Sequence, residues 1–183
     1  LQCMCTIMIG MQIIFTFGNL SLTAISRDGK DAMVMKYIPI SLYKQFIWKN
    51  IPQVFINTIA VIGMAVIIAI NISHISILYY LVGILIATIL NIINSFIMVM
   101  VDLKKPNLNW ITETSAIKDN GNKLYQYVTT IISCLLFVYF MRIFDNVNII
   151  ISFSIIIAIL FIILLILNIL IKKNINKLFK KIN

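Results

Sequence analysis

Covalent chemistry needs a nucleophile beside a base, or ligands close enough to share a metal, and this chain has few groups able to supply either. One histidine, three cysteines and six carboxylates are spread over 183 residues. His74 has no second histidine, cysteine or carboxylate at metal-ligand spacing. No glycine-rich phosphate loop, serine elbow or HExxH pattern occurs. Cys3, Cys5 and Cys134 fall in apolar runs, where cysteine behaves as a small apolar side chain. Asn71-Ile72-Ser73 matches a glycosylation acceptor, a pattern common by chance. The charge is gathered elsewhere. The stretch SRDGKDAMVMKYIPIS, Ser26 to Ser41, carries Arg27, Asp28, Lys30, Asp31 and Lys36 between two long apolar runs, a pattern that suits recognition of a partner better than bond making.

The elements that carry these groups follow from composition. The chain is 61% apolar and only 11% charged, which defines an integral membrane protein. A hydrocarbon core of about 30 Å takes roughly 20 residues of helix. Windows free of ionisable side chains run over Leu1–Leu22, Ile51–Ile70, Ile77–Val101, Tyr125–Met141 and Ile149–Ile171. The expected fold is therefore an all-α polytopic transmembrane bundle of about five spans. It forms a single domain over 1–183, with loops 23–50 and 102–124 and a tail 172–183. Polar breaks at 71–76 and 142–148 separate neighbouring spans. Tyr79, Tyr80, Tyr125, Tyr127 and Tyr139 sit near span edges, as interfacial aromatic belts do.

Basic residues in short loops stay on the cytoplasmic side. The first loop holds Arg27, Lys30, Lys36, Lys44 and Lys49, and the second holds Lys104, Lys105, Lys118 and Lys123. The tail adds Lys172, Lys173, Lys177, Lys180 and Lys181. Five spans put all of these on one side and leave only Arg142 opposite. Both loops and the C-terminus are thus expected in the cytoplasm, with the chain in the cell membrane. The formal net charge of +9 reads as orientation plus attraction to anionic headgroups, with no nucleic-acid partner. Leu1–Leu22 lacks the basic flank and cleavage site of a signal peptide. With no initiator Met ahead of it, the chain reads as part of a longer protein.

Loop 23–50 is too long for a simple turn. Asp31–Ile38 is expected to form a short amphipathic helix with Met33, Val34, Tyr37 and Ile38 on one face, ended by Pro39. Ser41 would cap a second, with Leu42, Tyr43, Phe46 and Ile47 on its apolar face. Both would lie along the membrane surface, kinked at Pro39, while the polar turn from Ser26 to Lys30 projects as a docking knob. In the second loop the chain around Pro106 is extended and TETSAIKDNGN reads as a short helix. Thr112 caps it, Glu113 suits its first turn, Lys118 its last, and Asn120-Gly121 can end it. Inside the spans Asn57, Asn91, Asn94 and Asn168 seek partners on neighbouring helices, for packing or to line a pathway. None of the five windows places an ionisable residue at membrane depth.

Two of these stretches resemble one family. SRDGKDAMVMKYIPIS is similar to the S-R-E-G-K, Lys, L-P-I-S pattern of membrane subunits of bacterial ATP-binding-cassette exporters of the clostridial type. PNLNWITETSAIKDN resembles that family's P-K-L-N-W, Glu, A-I-K-Q-N segment. Asp28 stands where Glu is usual, Met33 or Val34 where an aromatic is common, Asn107 for Lys and Asp119 for Gln. The resemblance implies the C-terminal part of a permease that couples ATP hydrolysis on a separate cytoplasmic ATPase to export. ATP and Mg would be held by that partner, with no cofactor, metal or catalytic residue in this chain. The lipid bilayer and a second permease half or a homodimer complete the expected partners. Arg27, Asp28, Gly29, Lys30, Pro39 and Ser41 are the expected coupling contact, followed by Trp110, Glu113 and Lys118. A stand-alone membrane immunity or sensor protein, binding a partner without transport, is the alternative, and an adjacent ATPase gene separates the two.

The charge split predicts topology. Cysteines substituted at Lys30, Lys118 and Lys177 are expected to be shielded from an impermeant thiol reagent in intact cells, and one at Ser73 to be labelled. Labelling at Lys118 from outside contradicts the five-span reading.

Overall fold

The computed structural model describes residues 20–71, 76–118, 120–143 and 149–179, without the side chains of 113, 141 and 149. The expected first span, apart from its last three positions, lies outside the described residues, as do Cys3, Cys5, His74 and Asp119. Every described element is helical. A 3-10 helix covers Ser26–Lys36, followed by α1 (Leu42–Asn71), α2 (Ile77–Lys104), the short α3 (Glu113–Lys118), α4 (Lys123–Ile143) and α5 (Ile149–Phe179). Four helices, α1, α2, α4 and α5, are long and apolar enough to cross a membrane. The protein is a membrane protein of all-α class.

α2 is the central helix. In its most apolar window 44% of residues are buried inside the protein, against 17–22% for the other three. Its buried positions Tyr80, Gly83, Ala87, Asn91, Ser95, Met98 and Asp102 recur every three or four residues, one stripe of a helix. The facing stripe of α1 is Phe46, Asn50, Gln53, Asn57, Val61 and Ala65. Both stripes are polar toward one end of the bundle and apolar toward the other. At the apolar end Val61, Ala65, Tyr80, Ile86 and Ala87 pack with Phe137 and Phe153 from α4 and α5. The remaining surface of these helices is apolar and faces outward, where lipid is the solvent.

α1 differs from expectation. The helix capped at Ser41 does not lie on the membrane surface as a separate piece but runs on through Pro52 into the span. Ser41 does cap it, its Oγ accepting from the Lys44 N–H at 3.4 Å. Phe46 supplies the reason: it is buried against α2, its ring meeting Phe96 edge-on at 5.5 Å. A surface helix would leave that ring in the headgroups. Pro52 removes one helical hydrogen bond without ending the helix, as transmembrane helices tolerate.

The preceding loop differs too. Its buried residues are Ser26, Gly29, Ala32 and Met35, spaced by three, the period of a 3-10 helix. The face expected from a 3.6-residue period (Met33, Val34, Tyr37, Ile38) points outward instead, with Tyr37 84% exposed. Gly29, at φ 54°, breaks the 3-10 helix into two short pieces, which suits a conformation that rarely persists for more than a turn. Pro39 sits in a tight turn in which the Ile40 N–H reaches the Ile38 carbonyl at 2.7 Å.

Candidate functional site at the loop end of the bundle

The 3-10 helix begins with backbone N–H groups that have no partner in its own turn. Asp102, in the last turn of α2, supplies one. Its Oδ2 accepts from the Ile25 N–H at 2.7 Å and the Ser26 N–H at 2.9 Å. Its Oδ1 accepts from the Ser26 hydroxyl. Both side chains are fully buried. An acid at a helix C-terminus opposes the macrodipole, so this position costs energy unless such donors surround it.

Ser26 then gathers the second loop. Its Oγ accepts from the Asn107 N–H at 2.9 Å and from the Asn120 amide at 3.3 Å. Its carbonyl accepts from the Trp110 indole N–H at 2.6 Å. The Asn122 amide donates to the Lys105 carbonyl at 3.0 Å, tying the start of α4 to the end of α2. One serine and one carboxylate therefore join both loops to the central helix.

Gly29 is required here for two reasons. Its positive φ favours glycine, and a Cβ would lie 3.0 Å from the Trp110 ring. The indole closes over the backbone at that point.

α1 grips the loop from the other side. Lys49 donates to the Ala24 carbonyl at 2.8 Å and to Asp28 at 2.6 Å. The Gln45 amide donates to the carbonyls of Met35 at 3.0 Å and Ile40 at 2.8 Å, while its Oε1 is buried with no donor facing it among the described residues. Gln53 Oε1 accepts from the Leu20 N–H at 2.9 Å. Beneath this polar layer Ile25, Ala32, Met35, Phe46, Leu103, Ile175 and Phe179 form one apolar cluster, which brings the end of α5 into the unit.

The expected coupling residues divide accordingly. Arg27 is exposed, its guanidinium reaching the carbonyls of Leu20 at 3.3 Å and Thr23 at 3.4 Å. Lys30 and Lys118 are exposed, and Pro39 lies in the outer turn. Asp28, Gly29 and Ser41 serve the fold, by the Lys49 pair, the Trp110 contact and the α1 cap. Trp110 is brought to Ser26. The Glu113 side chain lies outside the described residues. Thr112 caps α3 as expected, its Oγ1 accepting from the Ser115 N–H at 3.3 Å. Between the 3-10 helix and α1 lies an open groove of about 810 Å³ lined by Arg27, Asp31, Val34, Ile38, Trp48 and Trp110.

The intramembrane asparagines meet as well. Asn57 donates to Asn91 at 3.1 Å, Asn91 donates to the Val54 carbonyl at 3.1 Å, and Thr129 donates to Asn94 at 3.1 Å. Ser95 bridges Asn50 at 2.6 Å and Ser21 at 2.8 Å. The space among these groups is only about 10 Å³, close to the room one water needs. Among the described residues the seam packs helices and leaves room for no more than about one water.

Asp102, Lys49 and Asn120 were not among the residues expected at the site, and Ser26, expected in a projecting docking turn, is instead fully buried against Asp102. Asp102 immediately follows an apolar run and reads as a loop boundary. The available signal was its sign, since an acid in the last turn of a helix calls for a specific partner. Comparison of the chain with family models, with curated proteins and with solved structures finds no match.

Three substitutions test this network. Ser26→Ala and Asp102→Asn are each expected to cost about 1–3 kcal/mol, because each leaves buried donors or acceptors unpaired. Their double variant is expected to cost less than the sum by at least about 1 kcal/mol. Gly29→Ala is expected to cost about 1–3 kcal/mol through backbone strain and the Trp110 contact. Unfolding in detergent micelles measures all of these, and additive costs for Ser26 and Asp102 contradict a shared network.

Proposed function

We propose that this chain is the permease component of an ATP-driven exporter, moved by a separate cytoplasmic ATPase subunit that binds ATP and Mg. The observation that carries the reading is mechanical. The first loop is fastened to α2 through Asp102, to α1 through Lys49 and Gln45, and to α5 through an apolar cluster, and the second loop is joined to it through Ser26. A force applied to the loops therefore reaches three membrane helices without passing through a soft linker. Such a unit suits conversion of ATPase closure into helix tilting, provided the inward- and outward-facing states bind the partner differently.

The same unit offers the partner a surface. Arg27, Lys30 and Asp31 are exposed beside Val34, Tyr37 and Ile40, and Ile111 is 97% exposed on the second loop. Apolar side chains rimmed by charge, outside the spans, match the anatomy of a protein interface. The positive-inside distribution of basic residues supports a cytoplasmic position for this end, where the ATPase would be. The resemblance of both loop motifs to exporter membrane subunits points the same way.

Arg27 and Lys30 are the residues to test, because Asp28 is engaged by Lys49 and its reversal would disturb the fold. Arg27→Glu with Lys30→Glu is expected to weaken capture of the neighbouring-gene ATPase by about tenfold or more and to lower transport-stimulated ATP hydrolysis. Membrane insertion should stay at the wild-type level, and thermal stability should fall only slightly through loss of the two long Arg27 contacts to the Leu20 and Thr23 carbonyls. Wild-type capture and hydrolysis with the double variant overturn the coupling assignment and favour a membrane protein that binds another kind of partner.

A further inference from the structure

We infer that the end of α5 is a binding face for anionic phospholipid. α5 has 31 residues, about 46 Å at the helical rise, which exceeds a hydrocarbon core of about 30 Å. The surplus is the segment after Ile171. There the buried positions Ile171, Ile175, Leu178 and Phe179 pack against the loop cluster. Lys173 and Lys177 lie on the opposite face, and Lys172 is exposed at the edge of the buried one.

Three features define what fits that face. It is cationic and uncompensated: α5 contains no acid, and the ion pair recorded among the described residues is Lys49 with Asp28. It is amphiphilic. Exposed Ile162, Ile166, Ile169, Lys173 and Lys177 recur at steps of three and four, so one stripe runs from apolar to basic along the helix. It also sits at headgroup depth. Asn168, one turn before Lys172, accepts from the Tyr43 hydroxyl, which brings the first turn of α1, with exposed Lys44, to the same level. Trp48 stands exposed one turn further along α1, as interfacial tryptophans do.

An occupant must place an anion beside the lysines and an acyl chain along Ile169, Ile166 and Ile162. A phospholipid with a net negative headgroup does both. A nucleic acid or an acidic peptide would meet the charge but leave the apolar stripe uncovered. Because the buried face of the same two turns belongs to the apolar cluster that also holds Ala32 and Met35 of the loop, bound lipid also steadies the cluster on which the 3-10 helix rests. This inference stands apart from the exporter reading.

The test uses the purified chain in maltoside micelles with equimolar dioleoylphosphatidylglycerol and dioleoylphosphatidylcholine, bound lipid being counted by native mass spectrometry. Phosphatidylglycerol adducts are expected to exceed phosphatidylcholine adducts by about a hundredfold, the three lysines each contributing roughly fivefold. Lys173→Gln alone should lose about that fivefold, the triple Lys172→Gln, Lys173→Gln, Lys177→Gln should bring the ratio close to one, and the corresponding triple to Arg should keep the preference. Equal adducts in the wild-type chain, or a preference that survives the Gln triple with wild-type helical content, overturns the assignment.

Discussion

An acidic side chain in the last turn of a helix faces the carbonyl end of the macrodipole, and Asp102 is stable there because it caps a second helix. Its carboxylate satisfies the first amides of the 3-10 helix and the Ser26 hydroxyl in one buried contact. The capping residue comes from a sequence separation of 77 rather than from the neighbouring turn. Local and long-range structure are thereby made the same interaction. The start of the 3-10 helix draws its capping acceptor from α2.

The other contacts at this end build outward from that one. Ser26 donates its hydroxyl hydrogen to Asp102, so its two lone pairs and its carbonyl can receive Asn107, Asn120 and Trp110 from the second loop. Trp110 in turn lies over Gly29, where only a glycine leaves room and tolerates the backbone angle. Lys49 and Gln45 close the arrangement from α1. Deeper in the bundle the polar seam of Asn50, Gln53, Asn57, Asn91 and Ser95 continues the same line of hydrogen bonds, and amide pairs of this kind hold helices together where lipid offers no hydrophobic drive. Loops, seam and central helix form one connected body, which is what a device for transmitting force requires.

Much of this was legible in the residues. Apolar length alone located α2 and α5, and the caps at Ser41 and Thr112 followed from side-chain type. Asn57 and Asn91 were expected to find partners across a helix interface, and they find each other. What was hidden had physical causes. A period of three and a period of 3.6 diverge by about two residues, more than half a turn, over an 11-residue segment, so a loop read at 3.6 turns the face of Ser26, Gly29, Ala32 and Met35 the wrong way. Ile51 reads as the start of the span, yet Phe46 buries well enough to carry the helix backward past it through Pro52. Asp102 reads as the first residue of a loop because pattern rules place acids outside spans, and its donors come from residues far away in sequence.

The central claim is that the Asp102 carboxylate fastens the first loop to α2. Amide hydrogen exchange of the wild-type chain and of Asp102→Asn in the same detergent tests it most directly. The account predicts that protection at Ile25 and Ser26 falls by at least about tenfold in the variant, with Asn107 and Trp110 following, while the apolar cluster around Ile86 and Phe137 keeps its protection. Unchanged protection at Ile25 and Ser26 would contradict it, as would a uniform loss across the whole bundle.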